Sequence, residues 1–386
     1  MSSPLDRPEV EEIKQIVRDI VAKVSPPARI HELDEAETYD EALWTALAEA
    51  GLVQLGAESD GSASASHLSQ AAVLEELGAS ATSMAVSFVV QYMGVSLLGK
   101  HGTAEQRARV LEPLVVGEGR VAFALTEPDG GTDVVRVMRT QAERVADGWR
   151  IRGAKLWISG AIDCKHLIVL ARTSESSGSS VSGVTMFLVP RDAAGVSVSE
   201  LNTMAIHGLS TCEVGFDDVL VGEDAVLGEV DRGFHQVLGT LNGERLNAAA
   251  VAVGIGRGAL DAAVDYATAR QAFGRPIGTF QALQHRLATG AIHLESARSL
   301  LYAAATAADT GEDAAVLSAM AKVAASDAAT ELTDTGMRVM GGSGLSREYP
   351  MQRFFRDARL YTFAPLTDEM MRNFIAERYL GLPRSY

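Results

Sequence analysis

Residues 123–133 read FALTEPDGGTD, and they lie where a helical sequence pattern gives way to a strand-rich one. Gly130 and Gly131 allow positive φ angles and a close approach of the backbone to a ligand. Thr126 and Thr132 add hydroxyl groups that can bind phosphate or a polar ring atom. The loop precedes the predicted strand WRIRGAKLWIS, so it can place amides and hydroxyls against a polar cofactor. By itself it predicts a ligand-binding loop without identifying the ligand.

Three stretches of different character surround this loop. Residues 1–118 carry apolar positions at helical spacing, such as Leu43 and Leu47, which predict an N-terminal α-helical domain. Residues 119–226 contain short β-rich runs such as VAFAL, HLIVLA and VTMFLV, which predict a middle β-sandwich or barrel domain. Residues 227–386 return to long Ala-rich helical patterns, which predict a C-terminal helical bundle. The predicted fold class is therefore multidomain α+β, in the order helix, sheet, helix.

Composition argues against several classes of function. The 386 residues include 34 basic and 50 acidic side chains, for a formal net charge of −16, which disfavours a nucleic-acid surface or a polybasic membrane patch. Cys164 and Cys212 imply neither a disulfide framework nor a metal site. The N-terminus MSSPLDRPEVEEIKQ lacks an apolar signal core, and apolar runs stay well short of the ~20 residues that span a bilayer. We expect a soluble cytoplasmic protein that binds no metal.

With this domain order, the chain resembles the acyl-CoA dehydrogenase family of flavoproteins. The resemblance covers nearly the whole chain in seven stretches that follow the family's order, and the order makes the signal strong. The stretches are VLEELGAS, KHGTAEQRARVLEPLVVGEG, FALTEPDGGTD, GAKLWISGA, EVGFDDVLV, ERLNAAAVAVGIGRGALDAAVDYATARQAFGRPIGTFQALQ and VMGGSGLSREYPMQRFFRDAR. The resemblance implies an N-terminal helical domain, a middle β-domain, a C-terminal four-helix bundle and bound FAD.

The resemblance also implies which residues contact FAD. An indole such as Trp157 can cover a flavin face, and the Ser159 hydroxyl can hydrogen-bond a ring nitrogen. In the family, the stretch ARQAFGRPIGTFQ contributes to the cofactor of a neighbouring subunit, so Arg270 is expected to face the FAD pyrophosphate, and a homotetramer, a dimer of dimers, is expected. The alternatives are that Trp157 fills the β-domain core and that Arg270 is a solvated helix-end residue. The full predicted cofactor set is Phe123, Leu125, Thr126, Gly131, Thr132, Trp157, Ile158, Ser159, Arg270, Phe273, Phe280, Gln281, Arg338, Gly341, Gly342 and Thr367.

The catalytic base is where the chain departs from the commonest family pattern. Many members carry a glutamate in a late Tyr-Glu-Gly-Thr turn, but residues 364–367 read APLT here, and proline cannot remove a proton. Glu244 in LNGERLN resembles the position that the isovaleryl and long-chain members use. It falls within an apolar helical stripe, where desolvation would raise the pKa of a carboxyl group. We therefore predict Glu244 as the base, and the alternative is an internal ion pair with Arg245 or another cation of the bundle.

The resemblance further implies the reaction and the substrate contacts. Glu244 would remove the α-proton of an acyl thioester while the β-hydride passes to flavin N5, which gives a 2-enoyl thioester. Arg245 matches a family arginine near the thioester, and Thr132 is expected to contact the substrate from the glycine-rich loop. Asn242 stands where several members carry an aspartate that contacts the pantetheine or adenine part. Arg338 is a second departure, since a glutamine commonly precedes the Gly-Gly pair, and it either alters the adenosine contacts or pairs with an acid.

Other functions on the same fold remain open. The C-terminal stretch FAPLTDEMMRNFIAERYLGLPRSY resembles members that act on acyl-carrier-protein thioesters in polyketide extender-unit pathways. Acyl-CoA oxidases and flavin monooxygenases also share the fold, but Glu244 favours proton abstraction, for which a monooxygenase has no need. A helical scaffold without a base is the non-enzyme alternative. The expected electron acceptor is an electron-transfer flavoprotein or a similar protein.

Overall fold

The computed structural model describes residues 8–56, 66–175 and 181–385. The first part of the chain is helical. Its helices are α1 (Pro8–Val24), α2 (Pro27–Glu35), α3 (Glu41–Glu49), α4 (His67–Gly78), α5 (Thr82–His101), α6 (Ala104–Gln106) and α7 (Glu112–Val115), with a 3-10 turn at Val53–Gly56 and a π-helical turn at Arg107–Leu111. The side chains of Asp40 and Ser66 accept backbone hydrogen bonds at the start of α3 and α4, which sets where these helices begin.

Eight strands of the described residues follow and form one mixed hydrogen-bonded sheet. They are β1 (Val121–Ala124), β2 (Gln141–Val145), β3 (Gly148–Ser159), β4 (His166–Arg172), β5 (Val184–Pro190), β6 (Val196–Glu200), β7 (Thr211–Val221) and β8 (Val226–Leu227). The strand order is β6-β7-β3-β2-β4-β5-β8, and β1 pairs in parallel with β4. The parallel pair puts the end of β1, and thus the loop that starts at Leu125, beside the central strands of the sheet.

The sheet curls around a core of its own. Trp149 on β3 and Phe187 on β5 pack edge to face with ring centroids 5.4 Å apart. Three strand spacings of about 4.8 Å separate these strands along the sheet, so a flat sheet could not bring the rings together. Register shifts between β3 and β7, after Ile151 and after Lys155, mark where the strands bend. The predicted sandwich or barrel thus takes the form of a single curled sheet.

Helices return after the sheet. They are α8 (Gly233–Leu238), α9 (Leu241–Ala269), then the hairpin strands β9 (Gln271–Ala272) and β10 (Arg275–Pro276), and α10 (Gln281–Asp309), α11 (Ala315–Met340), α12 (Gly342–Leu345), α13 (Met351–Ala358) and α14 (Asp368–Arg378). The long helices α9, α10 and α11 pack on one another, and α4 packs on α9. A Cβ atom at Gly254 would lie 2.2 Å from Glu75 O, so glycine lets α4 and α9 approach closely. The predicted α+β order is confirmed, while the domain limits at residues 118 and 226 stay predictions.

One helix among the described residues, α5, is long and apolar enough to cross a membrane, but 67% of its apolar window is buried inside the fold. Its Phe88 packs edge to face against Trp44 and Tyr92, each at 5.6 Å between ring centroids. The Gln91 side chain hydrogen-bonds both the backbone N and O of Val121 on β1. This helix therefore packs as a core helix that joins the helical layer to the sheet.

A buried charged cluster joins the N-terminal and C-terminal helices. Glu75 on α4 is fully buried, and its carboxylate lies 2.7 Å from Lys14 Nζ and 3.1 Å from Arg298 Nε. The Tyr302 hydroxyl donates a hydrogen bond to the same carboxylate at 2.7 Å. Burial alone would raise the pKa of Glu75, but Lys14, Arg257 and Arg298 lower it to about 2. The cluster fixes α4 against α9, through Arg257, and against α10, through Arg298.

Candidate functional site

Glu244 lies in the first turn of α9. Desolvation raises its pKa to about 7, although a hydrogen bond from Thr240 and the charge of Arg245 act in the opposite direction. Thr240 Oγ1 is 3.2 Å from Glu244 Oε1. No cation of the described residues lies within 4 Å of this carboxylate, so the internal ion pair with Arg245 is not formed. The side chain keeps a part of its surface accessible, as a base that must meet a substrate requires.

Arg245 is a buried cation without a carboxylate partner among the described residues. Its side chain is 7% exposed, and Nη1 reaches Asn242 Oδ1 at 3.3 Å and Ala315 O at 3.5 Å. The guanidinium lies 4.9 Å from the centroid of the Phe374 ring, and Nε has no hydrogen-bond partner within the described part of the chain. Desolvation lowers the pKa of Arg245. An acceptor oxygen from a ligand would complete these contacts, because a buried guanidinium is stable only when its donors are satisfied.

The predicted flavin loop, residues 123–133, begins in β1 and packs against β3. Phe123, Leu125 and Thr126 are half-buried, whereas Gly131 and Thr132 are exposed. The backbone of the loop is attached to the sheet, since Leu156 N donates to Thr126 O at 2.9 Å.

The sequence left open whether Trp157 faces the flavin or fills the β-domain core, and the exposure of Trp157 and Ile158 answers this question. Trp157 is 59% exposed and has a φ angle of 64°, in the left-handed region that an aromatic residue seldom adopts. Ile158 is 2% exposed and fills the β-domain core instead. The core-filling alternative for Trp157 is therefore wrong. An indole turned outward beside the half-buried Ser159 fits a flat ring system.

The second predicted cofactor segment is exposed in a single chain. Phe273 is 94% exposed, and its ring meets Phe280 edge to face at 6.0 Å. Arg270, just before the 271–276 hairpin, and Gln281, the first residue of α10, are also exposed. An aromatic ring exposed to this extent on a hairpin suits contact with another subunit, because a monomer gains nothing from exposing it.

Gly341 and Gly342 lie near the base of this hairpin, at the end of α11. Tyr266 on the last turn of α9 hydrogen-bonds Ser343 at 3.0 Å, which joins these two chain segments. Arg338 is 61% exposed on the side chain and pairs with Asp334 at 2.7 Å. The departure at residue 338 is thus an arginine that pairs with an acid on the surface of α11.

The late turn, residues 364–367, is anchored to α11. The fully buried Lys322 Nζ donates to Leu366 O at 2.9 Å and to Asp368 Oδ1 at 2.6 Å. Asp368 also accepts a hydrogen bond from Ser326 at 2.8 Å. Thr367 caps α14 by accepting from Met370 N. The turn that carries a glutamate in many family members is therefore held in place here by a buried lysine.

Three polar residues near these positions were missed by sequence reasoning. Thr240 could have been found, because its spacing of four residues from Glu244 places both on one helix face. Lys155 on β3 and Glu127 in the flavin loop form a buried ion pair at 2.8 Å, and no local sequence pattern predicts this contact. Among the described residues, no group of three or more histidine, cysteine or carboxylate side chains is placed to hold a metal ion.

The chain is similar along its length to proteins of one known family. Three family models match the chain: acyl-CoA dehydrogenase N-terminal domain over residues 7–118, middle domain over 122–219 and C-terminal domain over 231–380. The acyl-CoA dehydrogenase FadE12 of Mycobacterium tuberculosis is 34% identical over 383 residues, which is 98% of each chain.

Solved structures agree as well. A glutaryl-coenzyme A dehydrogenase in complex with glutaryl-CoA superposes with a TM-score of 0.90 at 31% identity, over 100% of this chain and 98% of that one. A chain from a structure described as the electron transferring flavoprotein of Acidaminococcus fermentans gives a TM-score of 0.90 at 30% identity, over 98% and 99% of the two chains. On these matches, the chain belongs to the acyl-CoA dehydrogenase family of FAD-dependent oxidoreductases that act on CH–CH groups.

Proposed function

We propose that this chain dehydrogenates an acyl thioester and that Glu244 is the base that removes the α-proton. The observation that carries the proposal is a carboxylate on α9 whose pKa is raised to about 7 and which has no ion-pair partner within 4 Å among the described residues. A base with a pKa near the operating pH combines a useful ionised fraction with sufficient basicity. The family membership supports dehydrogenation as the type of reaction, and the position of Glu244 supports this residue as the base for the first proton transfer.

The cofactor contacts extend this proposal. FAD, when bound, accepts the hydride from the β-carbon. The exposed Trp157 indole would cover one face of the flavin, and Ser159 would hydrogen-bond its ring edge. Arg270 and Phe273 would reach the cofactor of a neighbouring subunit, which supports a homotetramer built as a dimer of dimers. The remaining predicted contacts are Phe123, Leu125, Thr126, Gly131, Thr132, Ile158, Phe280, Gln281, Arg338, Gly341, Gly342 and Thr367. Of these, Ile158 would contribute only its backbone, because its side chain lies in the core, and Arg338 would contribute while paired with Asp334.

The thioester would lie between Glu244 and Arg245. The incompletely satisfied guanidinium of Arg245 suits an oxygen of the acyl carrier arm, and Asn242 holds that guanidinium in place. Thr132 on the flavin loop would contact the substrate from the other side. Pro365 has no backbone N–H, so residue 365 cannot donate a hydrogen bond to the thioester carbonyl, and another group must polarise it.

The carrier and the electron acceptor complete the proposal. Relatives named for acyl-CoA substrates support coenzyme A as the carrier. Asn242 Oδ1 faces Arg245 Nη1 in place of the family's aspartate, which keeps an acyl-carrier-protein thioester as the second candidate. The structural neighbour described as an electron transferring flavoprotein supports a protein of that kind as acceptor. A cytoplasmic location stays a prediction.

Anaerobic bleaching of the flavin by a panel of CoA and carrier-protein thioesters tests this function. We expect a thioester to bleach the wild-type protein and Glu244→Gln to keep its FAD but lose bleaching by several orders of magnitude. Glu369→Gln is the matched control, because Glu369 is an exposed carboxylate beside the late turn, and it should bleach at the wild-type rate.

Two results would contradict the proposal. Bleaching of Glu244→Gln at the wild-type rate would move the base elsewhere. Rapid reoxidation of the reduced protein by air, with formation of peroxide or a hydroxylated product, would favour the oxidase and monooxygenase alternatives.

A further inference from the structure

A buried lysine lies beneath the start of the flavin loop. Lys155 on β3 is fully buried, and its Nζ donates to Leu125 O at 3.0 Å and to Glu127 Oε1 at 2.8 Å. Both partners are in the FALTEPDGGTD stretch, so one ammonium group holds the backbone and a side chain of the same segment. Lys155 is two residues before the exposed Trp157, on the same strand.

The Glu127 carboxylate extends this contact to Arg139 and Thr140, beyond the C-terminal end of the FALTEPDGGTD stretch. It accepts hydrogen bonds from Arg139 N at 2.6 Å and from Thr140 N at 3.0 Å. Glu127 and Gly130 also exchange backbone hydrogen bonds across the turn. The Lys155–Glu127 pair therefore joins the first and last residues of segment 125–140, which carries Thr126, Gly131 and Thr132.

The pair keeps its charges in spite of its burial. Desolvation lowers the pKa of Lys155 to about 8, against the attraction of Glu127, so the ammonium form still predominates at neutral pH. For Glu127, desolvation acts to raise the pKa, but Lys155 and the backbone donors lower it overall. Each charge is matched and hydrogen-bonded, and for that reason the loss of either partner would leave a costly unpaired charge in the interior.

We propose that Lys155 and Glu127 are positioning residues that hold segment 125–140 in its cofactor-binding shape whether or not FAD is bound. The inference rests on the proposed placement of the flavin against this loop. A loop that is ordered beforehand loses little conformational freedom when the cofactor binds, so its affinity is higher than that of a free loop. The second half of the segment is also held by the buried side chains of Val134, Val135 and Met138 and by a hydrogen bond from Arg172 Nη2 to Val135 O at 2.6 Å. The exposed Gly131 and Thr132 lie between these contacts and the buried pair.

The test is the rate of FAD release from the purified holoenzyme on dilution, followed by the rise of flavin fluorescence. We expect Lys155→Met to release FAD faster by on the order of tenfold. Lys14→Met is the matched control, because Lys14 is also a fully buried lysine, paired with Glu75 at 2.7 Å on distant helices. It should lose a similar amount of thermal stability and keep FAD release within about twofold of the wild type.

A double variant keeps the test decisive if Lys155→Met folds poorly. Lys155→Met with Glu127→Gln leaves no unpaired interior charge, so it should fold better than the single variant and still release FAD quickly. Release from both variants no faster than from Lys14→Met would overturn the inference. Trp157→Ala distinguishes an error in the placement of the flavin from an error in the role of the buried pair. If Trp157→Ala and the Lys155 variants all release FAD at the control rate, the flavin does not lie against this loop. If only Trp157→Ala accelerates release, the flavin lies against the loop but the buried pair has no positioning role.

Discussion

The Thr240 hydroxyl lies 3.2 Å from Glu244 Oε1, across the first turn of α9. The same hydroxyl is 2.8 Å from Val237 O, so its single proton can be donated to either oxygen. When Glu244 is ionised, donation to the carboxylate is favoured, because hydrogen bonds to charged groups are the stronger ones. Thr240 is 8% exposed, and water therefore does not easily replace it. The threonine thus limits the orientations that the carboxylate can adopt.

Replacement of Thr240 by valine tests this relationship. Valine keeps the shape of the side chain but cannot donate, so we expect flavin reduction by a saturating thioester to slow by roughly tenfold or more, with little change in KM. Thr240→Ser retains the hydroxyl and should restore most of the rate. Equal rates in the valine variant and the wild type would show that the carboxylate needs no such support.

The rate of flavin reduction should depend on pH through Glu244. Its pKa is about 7, and the ionised form is the base, so the rate should rise with pH and level off above this value. Well below pH 7, each pH unit should cost about tenfold in rate, because the ionised fraction falls in proportion. Stopped-flow reduction between pH 5 and pH 9 measures this. A profile that is flat across pH 7 would remove Glu244 from the step.

Ionisation of Glu244, which raises the rate as pH rises, should lower the folding stability over the same pH range. The folded protein binds the Glu244 proton more tightly than the unfolded chain does, because the pKa rises from 4.5 to about 7 on folding. The wild type therefore loses stability as pH rises from 4.5 to 7, by about 3 kcal/mol at most. Glu244→Gln lacks this loss and should gain thermal stability over the wild type at pH 8 but not at pH 4.5. Thermal unfolding at matched FAD content checks it, and an equal difference at both pH values would contradict it.

Phe273 on the exposed 271–276 hairpin should contribute to the association of subunits. Phe273 is 94% exposed, and a charge at this position would oppose burial against another subunit. We expect Phe273→Asp to lower the oligomeric state in sedimentation experiments and to weaken FAD binding together with it. Leu382→Asp is a control on an apolar residue near the chain end that is 53% exposed. A Phe273→Asp protein that keeps the wild-type sedimentation and FAD content would place the subunit interface elsewhere.

Local sequence patterns were sufficient for the architecture because helices and strands have their own periods. The spacing of Leu43 and Leu47 predicts a helix, and both residues are buried in α3. The runs HLIVLA and VTMFLV form the buried strands β4 and β5. The curl of the sheet did not follow from these runs, because it depends on contacts such as Trp149 with Phe187, which join strands that are far apart in sequence.

The sequence by itself determined the family, the cofactor class and the candidate base, because FALTEPDGGTD and the other stretches occur in a fixed order and Glu244 falls on an apolar helical stripe. Only the tertiary structure decided the state of that base. Whether a carboxylate on such a stripe pairs with a cation depends on the side chains that the fold places around it, and Arg245 turns toward Asn242 and Phe374 instead. The attachment of the flavin loop by Lys155 is likewise a contact across 28 residues of sequence, formed when β3 packs beneath the loop.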